Sequence, residues 1–305
     1  MTAAESLVAQ LSQAFQGELL PNEPMARHTT FRIGGPADLY AQPADRASLL
    51  LVYRCAWELG VPALILGAGS NVLVSDRGFR GVVIATEKAL KATSFEGDVA
   101  SAEAGVNLAS FVRACAKRGL AGIEGMCGIP GTVGGAVVMN AGANGCEVAS
   151  CLLHADLLTP DLREVRLTRD ELDLRYRDSA LKGLGWVVLS ATFRLTPASP
   201  DELMERVHQM ETRRRATQPV GERNAGCVFK NPPGASAGRL LDEAGAKGLR
   251  VGDAQISTKH ANFIVNRGNA SAADVKHLME RARAIVEEKY GILLEPELLM
   301  VGEWE

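Results

Sequence analysis

The chain has 305 residues, of which 47% are hydrophobic, 23% charged and 5% aromatic, a composition that builds a sizeable core and excludes a disordered or fibrous protein. Lys and Arg total 33 against 36 Asp and Glu, without the basic excess that tracks a phosphate backbone, so no nucleic-acid partner is expected. No uncharged apolar run approaches the roughly 18 residues of a membrane span, so no membrane association is expected either.

Residues 1–16 carry an amphipathic pattern (Leu7, Val8, Leu11, Phe15) and no basic region leading into an apolar run, which predicts a mature helix rather than a secretion signal. The six cysteines (Cys55, Cys115, Cys127, Cys146, Cys151, Cys227) form no Cys-x-x-Cys pair. Reduced thiols, a cytoplasmic location and no structural metal are therefore expected. A polar loop at Arg27-His28-Thr29-Thr30 precedes an apolar alternation at Leu39-Tyr40-Ala41, a helix near 47–59 and a strand at 62–66. From about 86 to 196 the pattern predicts a strand at 99–103, a helix at 108–118 and a strand at 186–193. Pro197-Ala198-Ser199-Pro200 reads as a linker, followed by a charged helix over 201–215. Beyond it, strands at 264–265 and 293–301 flank a helix over 272–289. The alternation of helical and strand periods with no fixed repeat predicts an α+β or α/β enzyme.

Two glycine-rich stretches stand out. Leu64-Ile65-Leu66 runs into Gly67-Ala68-Gly69-Ser70-Asn71 and then into Val72-Leu73-Val74. A dinucleotide fingerprint of the Rossmann kind needs its glycine loop to open a helix, and a Walker A loop needs a terminal Gly-Lys-Ser/Thr; neither condition is met. What remains is either a plain tight turn, because glycine tolerates positive φ, or a nest of backbone N–H groups for a diphosphate. The second stretch, residues 122–145, has eight glycines in 24 positions. It is either a chain of packed turns or a place where backbone approaches a large flat ligand. Two such loops in adjacent segments suit a long dinucleotide such as FAD.

With Gly128-Ile129-Pro130-Gly131-Thr132-Val133-Gly134-Gly135-Ala136, the first loop resembles the FAD-binding fold of the vanillyl-alcohol-oxidase superfamily. Further motifs are similar to one family within it, the UDP-N-acetylenolpyruvoylglucosamine reductases (UDP-N-acetylmuramate dehydrogenases). They are His28-Thr29-Thr30-Phe31-Arg32-Ile33-Gly34-Gly35, Asn140-Ala141-Gly142-Ala143, Tyr176-Arg177-Asp178-Ser179, Gly226-Cys227-Val228-Phe229-Lys230-Asn231-Pro232 and Leu294-Glu295-Pro296-Glu297. They fall in the family's order over nearly the whole chain, and the close approach of Gly185-Trp186 to Ser179 looks like the shorter, type II form.

The resemblance implies an α+β fold: a two-lobed FAD-binding (PCMH-type) domain plus a smaller α+β substrate-binding domain. The lobes are expected at 1–85 and 86–197 and the substrate-binding domain at 198–305, with the C-terminal strand returning to the flavin site. It also implies a cytoplasmic, monomeric oxidoreductase of peptidoglycan precursor synthesis. Bound FAD, held non-covalently, would be reduced by NADPH and would pass a hydride to the methylene carbon of UDP-N-acetylglucosamine enolpyruvate. The carbanion next to the carboxylate then needs a positioned acid and stabilising charge.

Carried over by motif, FAD contacts fall on Gly67, Ala68, Gly69, Ser70, Asn71, Pro130, Gly131, Thr132, Gly134 and Gly135. Arg177 matches the arginine that holds the substrate carboxylate and enolate, for which a guanidinium offers two parallel donors. Only one of Glu295 and Glu297 is expected to face the flavin, and the motif selects Glu297 as the carboxylate acting with that arginine. Cys227 departs from the family's usual serine proton donor; a thiol can still donate, being the stronger acid, but is open to oxidation. Tyr176, Lys230, Asn231 and His260 match substrate-side positions, Tyr176 being also readable as a core aromatic and His260 as a satisfied structural residue. Ala237-Gly238 is expected to begin a helix whose N-terminus could face a diphosphate. The alternatives are an FAD-dependent oxidase of the same superfamily, which oxygen uptake would reveal, and a non-catalytic UDP-sugar or flavin sensor.

Overall fold

The computed structural model describes residues 3–12 and 14–304. They form two compact units, each assembled from separated segments. One contains Met1–Pro21, Asp38–Ala68 and Gly81–Arg213, the other Asn22–Ala37, Gly69–Arg80 and Arg214–Glu305. The N-terminal helix runs over Ala3–Leu11; Met1, Thr2 and Gln13 of the expected helix lie outside the described residues.

In the first unit the main scaffold is a five-stranded antiparallel sheet. Its strands lie in the order Glu164–Thr168, Leu152–Leu158, Val187–Arg194, Val99–Glu103, Thr93–Glu96. Glu164–Thr168 alternates half-buried and exposed residues, as an edge strand does, whereas Val187–Arg194 is buried along almost its whole length, as a central one does. Phe111 of the helix Leu108–Ala116 packs against Phe193 and Phe95, at 5.6 and 6.1 Å between ring centroids, and closes the core. A second sheet of four strands places Ala63–Leu66 parallel to Phe79–Ala85. The connection to Ala63–Leu66 is the helix Arg46–Glu58, whose first turn is capped by the Asp45 carboxylate accepting from the Ser48 N–H at 2.8 Å. The stretch at Pro197–Pro200 is not slack chain: Thr196–Pro197 pairs with Leu120–Ala121, and Ala198 N–H donates to Gly119 O at 2.8 Å. Pro200 opens the helix Pro200–Thr217, where a missing N–H costs nothing.

The second unit has its own core, built by Phe31, Ile33, Leu73, Val228, Phe229, Ile264, Val275 and Leu298 among others. The strand Val72–Val74 pairs in parallel with Leu299–Val301. The strands Arg250–Val251, Ala254–Ile256 and Ile264–Asn266 make an antiparallel sheet. The helix Ala272–Tyr290 is fixed at its start by a Ser271/Asp274 capping box and by the Asp76 carboxylate, which accepts from the N–H groups of Ala272 and Ala273 at 2.8 and 2.9 Å. It ends on Gly291 at φ +66°. The strand expected over 293–301 is realised only at Leu299–Val301. Ahead of it, Pro296 has no N–H to offer a ladder, and a single bridge to Phe229 forms instead.

Candidate active site

In the first unit the two glycine stretches meet. A Cβ on Gly67 would lie 2.4 Å from Thr132 Oγ1, so that position must be glycine for the loop to come so close. Thr132 caps the short helix Val133–Val138 by accepting from Gly135 N–H at 3.3 Å. Gly134 presses on Ala104, where a Cβ would come within 2.7 Å of the Ala104 methyl. Gly131, at φ +142°, accepts from Leu108 N–H at 3.0 Å. Pro130 and Gly135 are exposed and Ala68 is half-buried. Gly67, Ala68, Pro130, Gly131 and Gly135 thus leave main chain and small side chains accessible beside the buried Thr132 and Gly134, which fits the backbone approach that a flavin dinucleotide requires.

The same unit holds Arg177. Arg175 and Asp178 exchange main-chain hydrogen bonds at 3.0 and 3.1 Å, making a tight turn with Tyr176 and Arg177 at its corners. Arg177 sits at φ +56°, a left-handed conformation that costs a non-glycine residue about 1–2 kcal/mol. Its guanidinium recovers this by donating to the carbonyls of Asn140 and Gly142. Asn140, fully buried, spans the gap with its carboxamide, donating to Arg175 O and accepting from Ala149 N–H, both at 2.9 Å. Ser179 Oγ donates to Val138 O at 2.6 Å. The Asn-Ala-Gly-Ala and Tyr-Arg-Asp-Ser motifs, some 35 residues apart, are thus one structure. Tyr176 is 45% exposed, which removes its reading as a core aromatic, and its ring centre lies 5.0 Å from the Arg177 guanidinium. Asp178 is engaged by Lys182 at 3.4 Å.

In the second unit Gly69, at φ +59°, closes the glycine loop against the turn before it. A Cβ there would lie 2.2 Å from His28 O, and Gly69 O accepts from Thr30 N–H at 3.1 Å. Ser70 is half-buried beside it. Asn71 Nδ2 donates to Glu297 O at 3.2 Å, and Asn71 O accepts from Leu299 N–H at 3.0 Å. The loop and Glu297 are therefore neighbours through main chain. Glu297 N–H donates to Val228 O at 2.8 Å, which sets the half-buried Cys227 on the adjoining segment. Glu295 is turned to solvent, 73% exposed, and pairs with Lys230 at 3.3 Å. Glu297 is half-buried, and no strand runs through the two residues.

The remaining second-unit residues divide. The Lys230 side chain is mostly covered, and its ammonium pairs with Glu295. Asn231 Oδ1 accepts from Ala237 N–H at 2.9 Å, and Ser236 caps the same seven-residue helix, Ala237–Glu243. Two of that helix's first donors are thus met by the chain's own side chains, so the expected diphosphate at its start is not supported. His260 lies across the beginning of the helix, where a Cβ on Gly238 would come within 2.7 Å of its ring, and meets Phe263 edge-on at 5.0 Å. Burial, aided by Lys247, pushes the imidazole below its ordinary pKa, and the neutral ring accepts from Asn262 N–H at Nδ1, 3.2 Å away.

Comparison with known proteins settles what this arrangement belongs to. Residues 218–301 match the family described as UDP-N-acetylenolpyruvoylglucosamine reductase, C-terminal domain, and residues 37–168 match the FAD binding domain family. A UDP-N-acetylenolpyruvoylglucosamine reductase of Geobacter metallireducens is 46% identical over 300 residues, covering 98% of this chain and 99% of that one. One from Rubrobacter xylanophilus is 47% identical over 283 residues, covering 92% and 95%. The chain belongs to the UDP-N-acetylenolpyruvoylglucosamine reductase family. The crystal structure of the Thermus caldophilus reductase superposes with a TM-score of 0.78 at 36% identity, covering 94% of this chain and 99% of that one.

The structure gives a bridging role to Asn140, a motif residue to which the sequence assigns none, and brings forward Asn262, which lies outside the motifs. Each is a buried asparagine set among apolar neighbours, and that pattern was a usable signal, since such a residue must find several hydrogen-bond partners. Among the described residues, no helix is long and apolar enough to cross a membrane.

Proposed function

We propose that Arg177, Cys227 and Glu297 carry out, around a non-covalently held FAD, the reduction of UDP-N-acetylglucosamine enolpyruvate to UDP-N-acetylmuramate for peptidoglycan precursor synthesis. FAD held there would supply the hydride acceptor for NADPH and the hydride donor for the methylene carbon of the enolpyruvyl ether. The bare main chain of Gly67, Ala68, Gly131, Thr132, Gly134 and Gly135 holds the cofactor, joined by Gly69, Ser70, Asn71 and Pro130. Residues 1–85 and 86–197 serve it, and 198–305 serve the UDP-sugar.

Arg177 presents a fixed guanidinium to the substrate carboxylate, stabilising the enolate that forms as the hydride arrives. Its turn and its two carbonyl partners set that orientation in advance. The Cys227 thiol then donates a proton to the carbon bearing the carboxylate, in the place of the family's usual serine. Glu297 acts with Arg177 from beside the glycine loop. Tyr176 and Lys230 contact the substrate directly. Asn231 and His260 serve the substrate with Lys230, from the start of the helix Ala237–Glu243. The working species is a cytoplasmic monomer.

The observation that carries this reading is the tie from Asn71 to Glu297, which places a motif carboxylate's main chain against the loop assigned to the flavin. Its test is steady-state NADPH oxidation by the purified yellow protein. Oxidation that requires UDP-N-acetylglucosamine enolpyruvate, and that Cys227→Ala abolishes, supports it. Oxidation sustained by air alone, with oxygen uptake and no need for the UDP-sugar, overturns it in favour of an oxidase.

A further inference from the structure

We propose that Asn262 is a positioning residue for the proton-transfer step, holding Cys227 in place through the main chain of the two residues that follow it; this rests on the reading of Cys227 as the acid. Asn262 O accepts from Val228 N–H at 2.9 Å, Asn262 Oδ1 accepts from Phe229 N–H at 2.9 Å, and Asn262 Nδ2 donates to Phe229 O at 2.8 Å. One residue therefore meets three main-chain groups of a two-residue stretch.

The stretch needs such a partner because it lies outside regular structure. Phe229 forms a single bridge to Pro296, a residue without an N–H, and Val228 and Phe229 are 3% and 2% exposed. Without the carboxamide, both main-chain groups of Phe229 would lose a partner in a site closed to water, where nothing replaces it. The Asn262 carboxamide, 3% exposed, stands in for a neighbouring strand. The clamp also reaches the carboxylate side, because Val228 O accepts from Glu297 N–H at 2.8 Å. The segment that carries Cys227 is thus tied to Glu297 by main chain on one side and to the Asn262 carboxamide on the other. A proton donor must approach carbon to about hydrogen-bond distance, and a displacement of ~1 Å can cost on the order of a hundredfold in rate.

The test uses the FAD-loaded full chain and separates the two half-reactions under anaerobic stopped-flow. Asn262→Asp keeps the size and one accepting oxygen but sets a second oxygen against Phe229 O. The expected result is flavin reduction by NADPH within about twofold of wild type, with reoxidation by UDP-N-acetylglucosamine enolpyruvate slowed on the order of tenfold to a hundredfold. In a Cys227→Ala background the same change is expected to add nothing, since the two act as one unit. Asn266→Asp is the stability control. That buried carboxamide also bonds main chain, at Phe31, Gly268 and Ala270, and its loss should lower the melting temperature while leaving reoxidation within about twofold. If Asn262→Asp does not give soluble holoenzyme, Asn262→Ser is read in the same way. Reoxidation unchanged in the Asn262 variant while Cys227→Ala is slow, or a further slowing in the double variant, overturns the positioning role. Unchanged reoxidation in Cys227→Ala overturns it from beneath, by removing Cys227 as the acid.

Discussion

Arg177 and Cys227 are held by opposite means. The arginine stands on a tight turn whose strain is offset by main-chain carbonyls at Asn140 and Gly142, in a unit built on a five-stranded sheet. The cysteine stands on a segment with one bridge, held by the side chain of Asn262. A turn braced by backbone tolerates many changes around it but few at the residue that makes the contact. A segment in which the N–H and C=O of Phe229 both rest on one carboxamide is vulnerable at a residue that touches no substrate.

The largest effect that sharpens this contrast is expected at Arg177 itself. Arg177→Lys keeps the charge but loses the planar pair of donors and cannot reach both carbonyls, so substrate-driven flavin reoxidation should fall on the order of a hundredfold while reduction by NADPH is kept. Rapid-mixing traces of the two half-reactions check this, and equal loss in both would show that the arginine serves the fold rather than the substrate. A smaller effect is expected at Asn140→Ala. It leaves Arg175 O and Ala149 N–H without their partner, costing roughly 1–3 kcal/mol and lowering the melting temperature by several degrees. A calorimetric scan that shows no shift would contradict the bridging role given to its carboxamide.

The long elements were legible because their periodicity is local. The helix expected over 272–289 is found at Ala272–Tyr290, and the strand at 99–103 is found as Val99–Glu103. The apolar content at Leu293 and Leu294 predicts a longer C-terminal strand than the one found at Leu299–Val301, because Pro296 carries no N–H for a ladder. In the candidate site, the motif residues were readable as types but their supports were not. Asn71 meets Glu297 across 226 positions and Asn262 meets Phe229 across 33, and contacts of that range leave no period in the chain. His260 shows the same limit. Its sequence neighbours say nothing of Gly238, against which its ring is packed.

The central claim, that the chain takes electrons from NADPH and gives them to an enolpyruvyl ether with Cys227 supplying the proton, is tested most directly by one anaerobic experiment in D2O. The flavin is reduced with NADPH, then mixed with UDP-N-acetylglucosamine enolpyruvate, and both the oxidised-flavin band and the product are followed. The account predicts rapid reoxidation without oxygen, one solvent deuterium at the carbon bearing the carboxylate, and loss of that reoxidation in Cys227→Ala. Flavin that stays reduced until air is admitted would contradict it.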